Sequence, residues 1–417
     1  MTDFFQTELF EGGRFLAVNT QRFKTTRITV RFAVDLKKET AASFAAVPGL
    51  LRYTSAKYPT NIQTERKLAS LYGAGYSATV GKYADVQIMS FTISAVADKF
   101  AFENEKIGNE CLSFLLDSLF CPDLDENGLI KEFNLEREKR LMREEIQADM
   151  NDKMSLSLNR FSAEFYEGEG AALLSSGSLE DIDDITVESV TKAWKSMLSN
   201  SEVFIVTVGD TDNASYISTI KKYFEKIDRK FKKPVIVPHS PKEEVKKVND
   251  IQPLEQCKLN IGFSCESDDS DAGKLFNSVF GGSEMSLLSK VVREKMSLCY
   301  YCSSSFGPKK KVLIVFSGVE SENREKTLEA VLEQLQKVKK GEVDDEQISI
   351  AKRKLKEAYM SFDTPIDISR WYLSQMFESE IKTPERMFKA IESVGKERIT
   401  AFAQSIKPDT VYSLGDK

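Results

Sequence analysis

The 417 residues contain one histidine, His239, and one Cys-x-x-Cys, running from Cys299 to Cys302. A zinc pair of the HExxH or HxxEH type needs two imidazoles one helical turn apart, and a hydrolytic triad needs one imidazole held by a carboxylate. Composition excludes the first, and the second is open only to His239. That residue lies in the run 234–241, with prolines at 234, 238 and 241. The run reads as an exposed connector, so its imidazole is expected to be solvated rather than catalytic, because imidazole chemistry requires an orienting partner. The two cysteines fall in the strand-like run 298–306. Alternation along a strand is expected to turn their thiols to opposite faces, which argues against redox or metal chemistry, and zinc asks for four converging ligands. The six cysteines, at 111, 121, 257, 265, 299 and 302, fit reduced and mostly buried thiols better than a disulfide framework. Zinc or serine hydrolysis by this chain alone is therefore not expected.

The elements that would position any site are those of a globular chain. Apolar residues make up 41% and aromatics 10%, ample for the two or three cores that the length suggests. With 58 basic against 64 acidic residues the net charge is −6, which lacks the positive field of a nucleic-acid binder. The first ten residues show neither a basic start nor a sustained apolar run, and no window reaches the roughly 18 apolar residues of a membrane span. A cytoplasmic protein is expected.

The run 27–35 alternates apolar and polar residues, as a half-buried strand does. Residues 85–95 alternate too, with the phase slipping near Met89 as a bulge would cause. Between them Thr60 and Gln63 form a capping-box pattern before a helix, and Gly73 and Gly75 supply its stop. Residues 125–167 read as long, charged and helical, with Leu135, Leu141, Met142 and Ile146 as the apolar stripe. An internal repeat organises the whole. Residues 190–197 are echoed by 399–406, and the strand-like run ending in Gly209-Asp210 by the one ending in Gly415-Asp416. The helical run around Glu138 to Leu141 is echoed by Lys352 to Leu355, and each is followed by an aromatic second helix (161–166 and 371–377). The charged, proline-bearing run 229–252 has linker composition. The expected architecture is α+β: domains at 1–228 and 253–417, each a mainly antiparallel sheet with helices packed on one face, joined by the linker 229–252.

Residues 281–300 contain a glycine turn, a helical S-x-L-x-x-x-V-R-E-K pattern and a tyrosine opening a strand. This resembles the second-domain signature of the pitrilysin (M16) metallopeptidase family, in which an arginine and a tyrosine stand as far apart as Arg293 and Tyr300 do here. The resemblance implies two homologous LuxS/MPP-like domains and a pair that faces the zinc centre of a different domain. Chemically, a guanidinium and a phenol can both donate to a peptide carbonyl and to the oxyanion formed when water attacks it. The plainer alternative is that Arg293 pairs with a neighbouring carboxylate and Tyr300 fills a sheet face.

The same resemblance places Ala45, Pro48 and Gly49 where the family carries its His, Glu and His, and Glu145 at the third zinc ligand. Alanine and glycine have no donor atom, a proline is expected to start or kink the helix there, and a lone carboxylate does not hold zinc. No metal and no cofactor are expected in this chain. Residues 50–60 and 71–74 look most like the zinc-less YfmF-like subfamily of bacterial M16 homologues. Its members are associated with the 5-aminopentanol modification of elongation factor P and are often accompanied by a zinc-bearing sister. The resemblance thus implies a catalytically inactive subunit that pairs with such a sister, Arg293 and Tyr300 contributing to binding of a peptide or unfolded-chain substrate. The alternative is a non-catalytic clamshell homodimer that encloses a peptide, with the same link to elongation factor P.

Overall fold

The computed structural model describes residues 4–416; residues 1–3 and 417, at the outer ends of the two expected domains, lie outside the described residues. Among the described residues, eleven strands form two sheets. The first contains β1 (Phe5–Phe10), β2 (Gly13–Asn19), β3 (Thr25–Asp35), β4 (Gly75–Tyr83), β5 (Val86–Val96) and β6 (Glu202–Gly209), in the spatial order β1-β2-β6-β3-β5-β4. The second contains β7 (Lys246–Ile251), β8 (Cys257–Cys265), β9 (Cys299–Gly307), β10 (Val312–Val319) and β11 (Ile406–Gly415), in the order β7-β11-β8-β10-β9. Apart from β1 the two orders are the same. In each, the one parallel pair joins the final strand to the strand that opens the repeat, β2 with β6 and β7 with β11, and the rest is antiparallel. The echo of Gly209 by Gly415 is thus the echo of two strands in equivalent places.

Chain contacts divide the molecule into two units that are not contiguous in sequence. The first comprises Met1–Ala148, Leu173–Val235 and Phe362–Ile381; the second comprises Asp149–Ala172, Ile236–Ser361 and Lys382–Lys417. The contiguous division at 1–228 and 253–417 does not follow these units, because the two aromatic helices trade places. In the first unit the helix Pro365–Leu373 packs on β3 and β6, and Arg31 donates from Nη1 to the Leu373 carbonyl at 3.0 Å. In the second unit the helix Lys153–Phe165 packs on β8 and β11. Its rings, Phe161 and Phe165, stack at 5.2 Å between centroids, and they lie so close to β8 that a Cβ at Gly262 would meet Phe165 at 2.6 Å. Burying such a phenylalanine contributes roughly 1.5–3 kcal/mol. Asp152 makes the break that releases this helix, accepting from the Met154 and Ser155 amides as its N-cap. The linker is also shorter than expected, since Lys246–Ile251 pairs as β7.

The main core of the first unit lies between its sheet and the helices Lys38–Tyr53, Ile107–Phe120 and Val187–Asn200. Helices Ser270–Phe280, Arg324–Lys339 and Lys396–Gln404 cover the corresponding face in the second. The capping box of Thr60 and Gln63 forms as expected. The slip near Met89 is not a bulge: β5 pairs without a shift to β3 and to β4. Val86 to Met89 are all buried, so both faces of the strand are covered there and no polar face keeps the alternation. Gln87 is accommodated by donating from Nε2 to the carbonyls of Ala41 and Ser175. No helix among the described residues is long and apolar enough to cross a membrane.

Candidate functional site

Arg293 and Tyr300 sit at either end of a locally irregular stretch of the second unit. The helix that begins near Leu287 widens into a π-helix, Leu288–Lys295, whose end is marked by the Met296 amide donating to the Val291 carbonyl at 2.9 Å. Single π-turns inside helices cluster at functional sites because they shift side chains out of the ordinary helical register. Ser297 then takes φ of +53°, a left-handed turn that sends the chain straight into β9. The π-helix leaves the Arg293 guanidinium partly exposed, paired with Glu294 at 2.7 Å. Tyr300 is 55% exposed and its hydroxyl donates to Glu320; that hydrogen bond raises the phenol above its ordinary pKa. Both groups lie at the surface of their unit, each held by a neighbouring carboxylate.

A bulge sets the pair's surroundings. Along β10, Gly318 faces Tyr301 but Val319 faces Cys299, so Tyr300 is the extra residue of β9. One inserted residue reverses the side-chain alternation. Cys299 and Cys302, expected on opposite faces, therefore share a face, across the ladder from Val319 and Ser317, and the neighbouring Cys302 lowers the pKa of the Cys299 thiol.

Ala45, Pro48 and Gly49 lie on the helix Lys38–Tyr53, which runs on through Pro48 instead of starting there. The missing N–H removes one helical hydrogen bond, a cost of about 3 kcal/mol, and burial of Ala45, Val47 and Pro48 in the core holds the helix regardless. Glu145, on the helix Glu132–Asn151, is exposed. Two turns earlier on the same helix stands a carboxylate that sequence reasoning passed over, Glu138. It is buried, its Oε2 has no hydrogen-bond partner, and a Cβ at Gly49 would fall 1.8 Å from its Oε1. Burial pushes its carboxyl up to about 7; Arg137 and Arg52 oppose the shift and Glu145 adds to it. The signal was available in the spacing, since Glu138 falls between Leu135 and Met142 on the apolar stripe.

His239 is not solvated. Its side chain is 1% exposed, with Nδ1 2.7 Å from Glu169 and Nε2 3.4 Å from Asp409. Asp409 also accepts from the Lys242 amide at 2.8 Å and from the Thr410 hydroxyl at 2.7 Å. Lys310 pairs with Glu169, and the imidazole packs against the ring of Phe165 at 4.3 Å. A carboxylate-imidazole-carboxylate array could orient a base, but one this deeply buried offers a substrate no approach; it ties the connector to the second unit.

Residues 184–355 match the family model described as the peptidase M16 inactive domain. Over 403 residues the chain is 30% identical to the "Probable inactive metalloprotease YmfF" of Bacillus subtilis, covering 95% of this chain and 94% of that one. The chain belongs to the M16 peptidase family. A conserved protein from Enterococcus faecalis has the same fold, with a TM-score of 0.88 at 23% identity over 99% of both chains. So does a peptidase M16 inactive domain from Pseudomonas fluorescens, with a TM-score of 0.82 at 16% identity over 100% of this chain and 98% of that one. This M16 chain is a non-catalytic pseudo-peptidase. The family's zinc does not fit the residues present: positions 45, 48 and 49, which the resemblance matches to its site, carry no donor, the carboxyl of Glu138 fills the space beside Gly49, and among the described residues no group of three His, Cys, Asp or Glu side chains is placed to hold a metal ion.

Proposed function

We propose that this chain is the non-catalytic subunit of a two-chain M16 assembly in the cytoplasm. It pairs with a zinc-bearing sister, helps enclose an extended or unfolded peptide, and presents Arg293 and Tyr300 to the peptide carbonyl at the sister's metal. One contrast supports the reading: the positions matching the zinc site are donor-less and packed, whereas the arginine and tyrosine keep their spacing and stay at the surface. Within the assembly the carboxylates of Glu294 and Glu320 would yield their partners to substrate oxygens. A link to elongation factor P modification belongs to the same proposal and rests on the subfamily resemblance.

With the zinc-bearing sister co-expressed from the same host, Arg293→Ala and Tyr300→Phe should each lower peptide cleavage about 10- to 100-fold, with co-purification unchanged. Unaltered cleavage by both variants would remove the complementing role. The isolated chain should carry no stoichiometric zinc, and chelator should leave its thermal unfolding unmoved. One tight zinc per chain by elemental analysis would overturn that expectation.

A second reading, a homodimer that binds peptide without a zinc-bearing partner, is favoured by the edge of the first sheet. There β4 borders a cavity of about 330 Å³ lined by Arg31, Lys82, Tyr83, Ile88, Leu373 and Phe377, suited to an added strand. Native mass spectrometry of the complex pulled from the host separates the readings by whether the second subunit is a sister or a copy.

A further inference from the structure

The bulge at Tyr300 brings together two thiols that a regular strand would hold apart. We propose that Cys299 and Cys302 form a reactive dithiol that exchanges with small-molecule disulfides and closes reversibly into an intramolecular disulfide. The assignment rests on geometry. Cys299 stands across the ladder from Val319 and Cys302 from Ser317, so the two side chains are neighbours on one face of the sheet. They differ in access, since Cys299 is partly exposed on the edge strand β9 whereas Cys302 is buried. An accessible attacking thiol backed by a shielded resolving thiol is the arrangement that thiol–disulfide exchange needs.

The surroundings favour charge on the outer sulfur. The neighbouring Cys302 lowers the Cys299 thiol to about 7 against the opposing effect of burial, helped by Ser317 and the Arg293 guanidinium. The same coupling, together with burial, raises Cys302. The exchange runs in two steps. The Cys299 thiolate attacks one sulfur of the small disulfide, forming a mixed disulfide and releasing one thiolate. Cys302 then gives its proton to solvent and attacks the Cys299 sulfur, closing the internal disulfide and releasing the second thiolate. Two protein thiols are oxidised and one disulfide is reduced to two thiols. The closed form ties the strand on both sides of Tyr300, beside Arg293. The dithiol flanks the residues proposed to face a sister, but its exchange does not require that pairing and is tested without one.

The full-length chain is incubated with oxidised glutathione, blocked with iodoacetamide and mapped by mass spectrometry. The expected product has Cys299 and Cys302 joined and protected, while exposed Cys121 is alkylated. The Cys302→Ser chain should accumulate glutathione at Cys299, and the Cys299→Ser chain should accumulate none at Cys302. In the untreated chain at pH 7, iodoacetamide should modify Cys299 roughly tenfold faster than Cys121. Absence of the internal disulfide in excess oxidised glutathione, or equal alkylation rates at Cys299 and Cys121 in the folded chain, would overturn the proposal. Wild-type rates are read directly, so the result stands even where a serine variant misfolds.

Discussion

In urea denaturation followed by far-ultraviolet circular dichroism, Asp409→Ala should cost the second unit about 3–5 kcal/mol, the usual penalty for removing one partner of a buried charged cluster. The Asp409 side chain is 1% exposed, and the groups facing it are the His239 imidazole, the Lys242 amide and ammonium and the Thr410 hydroxyl. Removing it leaves the buried imidazole with Glu169 as its carboxylate partner. Burial pushes the Asp409 carboxyl up, but the hydrogen bonds from His239, Lys242 and Thr410 outweigh it and hold the carboxyl below the ordinary range. A carboxyl depressed in the folded state contributes stability that is complete above the unfolded pKa and is lost as pH falls through about 4 and below. The difference between wild type and Asp409→Ala should therefore shrink in acid. A loss under about 1 kcal/mol at pH 7 would show that the cluster does not hold the connector.

Glu138→Gln should work in the opposite direction, and in the other unit. Both tryptophans, Trp194 and Trp371, belong to the first unit, so their fluorescence reports on it alone. The Glu138 carboxyl is raised to about 7 in the folded chain, chiefly by burial. Below the unfolded value it is protonated in both states and costs nothing. Between roughly pH 4.5 and 7 the unfolded chain ionises first, and stability falls until the folded carboxyl ionises too. The glutamine variant should match wild type near pH 4.5 and exceed it by about 3 kcal/mol at pH 8. A stability difference that stays flat between those pH values would mean that Glu138 is solvated after all.

Much of the fold was legible because its signals are local. Alternation marked β3, the capping box marked the helix at Asn61–Ser70, and the paired Gly-Asp endings marked β6 and β11 as repeats. An apolar stripe, however, states that a helix has a face to bury and not which sheet buries it. Hence the exchange of the helices Lys153–Phe165 and Pro365–Leu373 between units was not foreseen. Burial on both faces likewise imitated a bulge at Met89, and the real bulge, at Tyr300, left no mark in the run 298–306. His239 was misjudged because its partners, Glu169 and Asp409, stand 70 and 170 residues away.

What this chain lacks was decided by composition alone. With one imidazole, and with alanine, proline and glycine at 45, 48 and 49, no folding could supply the missing donor atoms. How the remaining groups behave was decided by tertiary structure: the raised carboxyl of Glu138, the shared face of Cys299 and Cys302, and the burial of His239. Donor atoms belong to a residue, whereas burial, pairing and facing belong to neighbours that only the folded chain brings near.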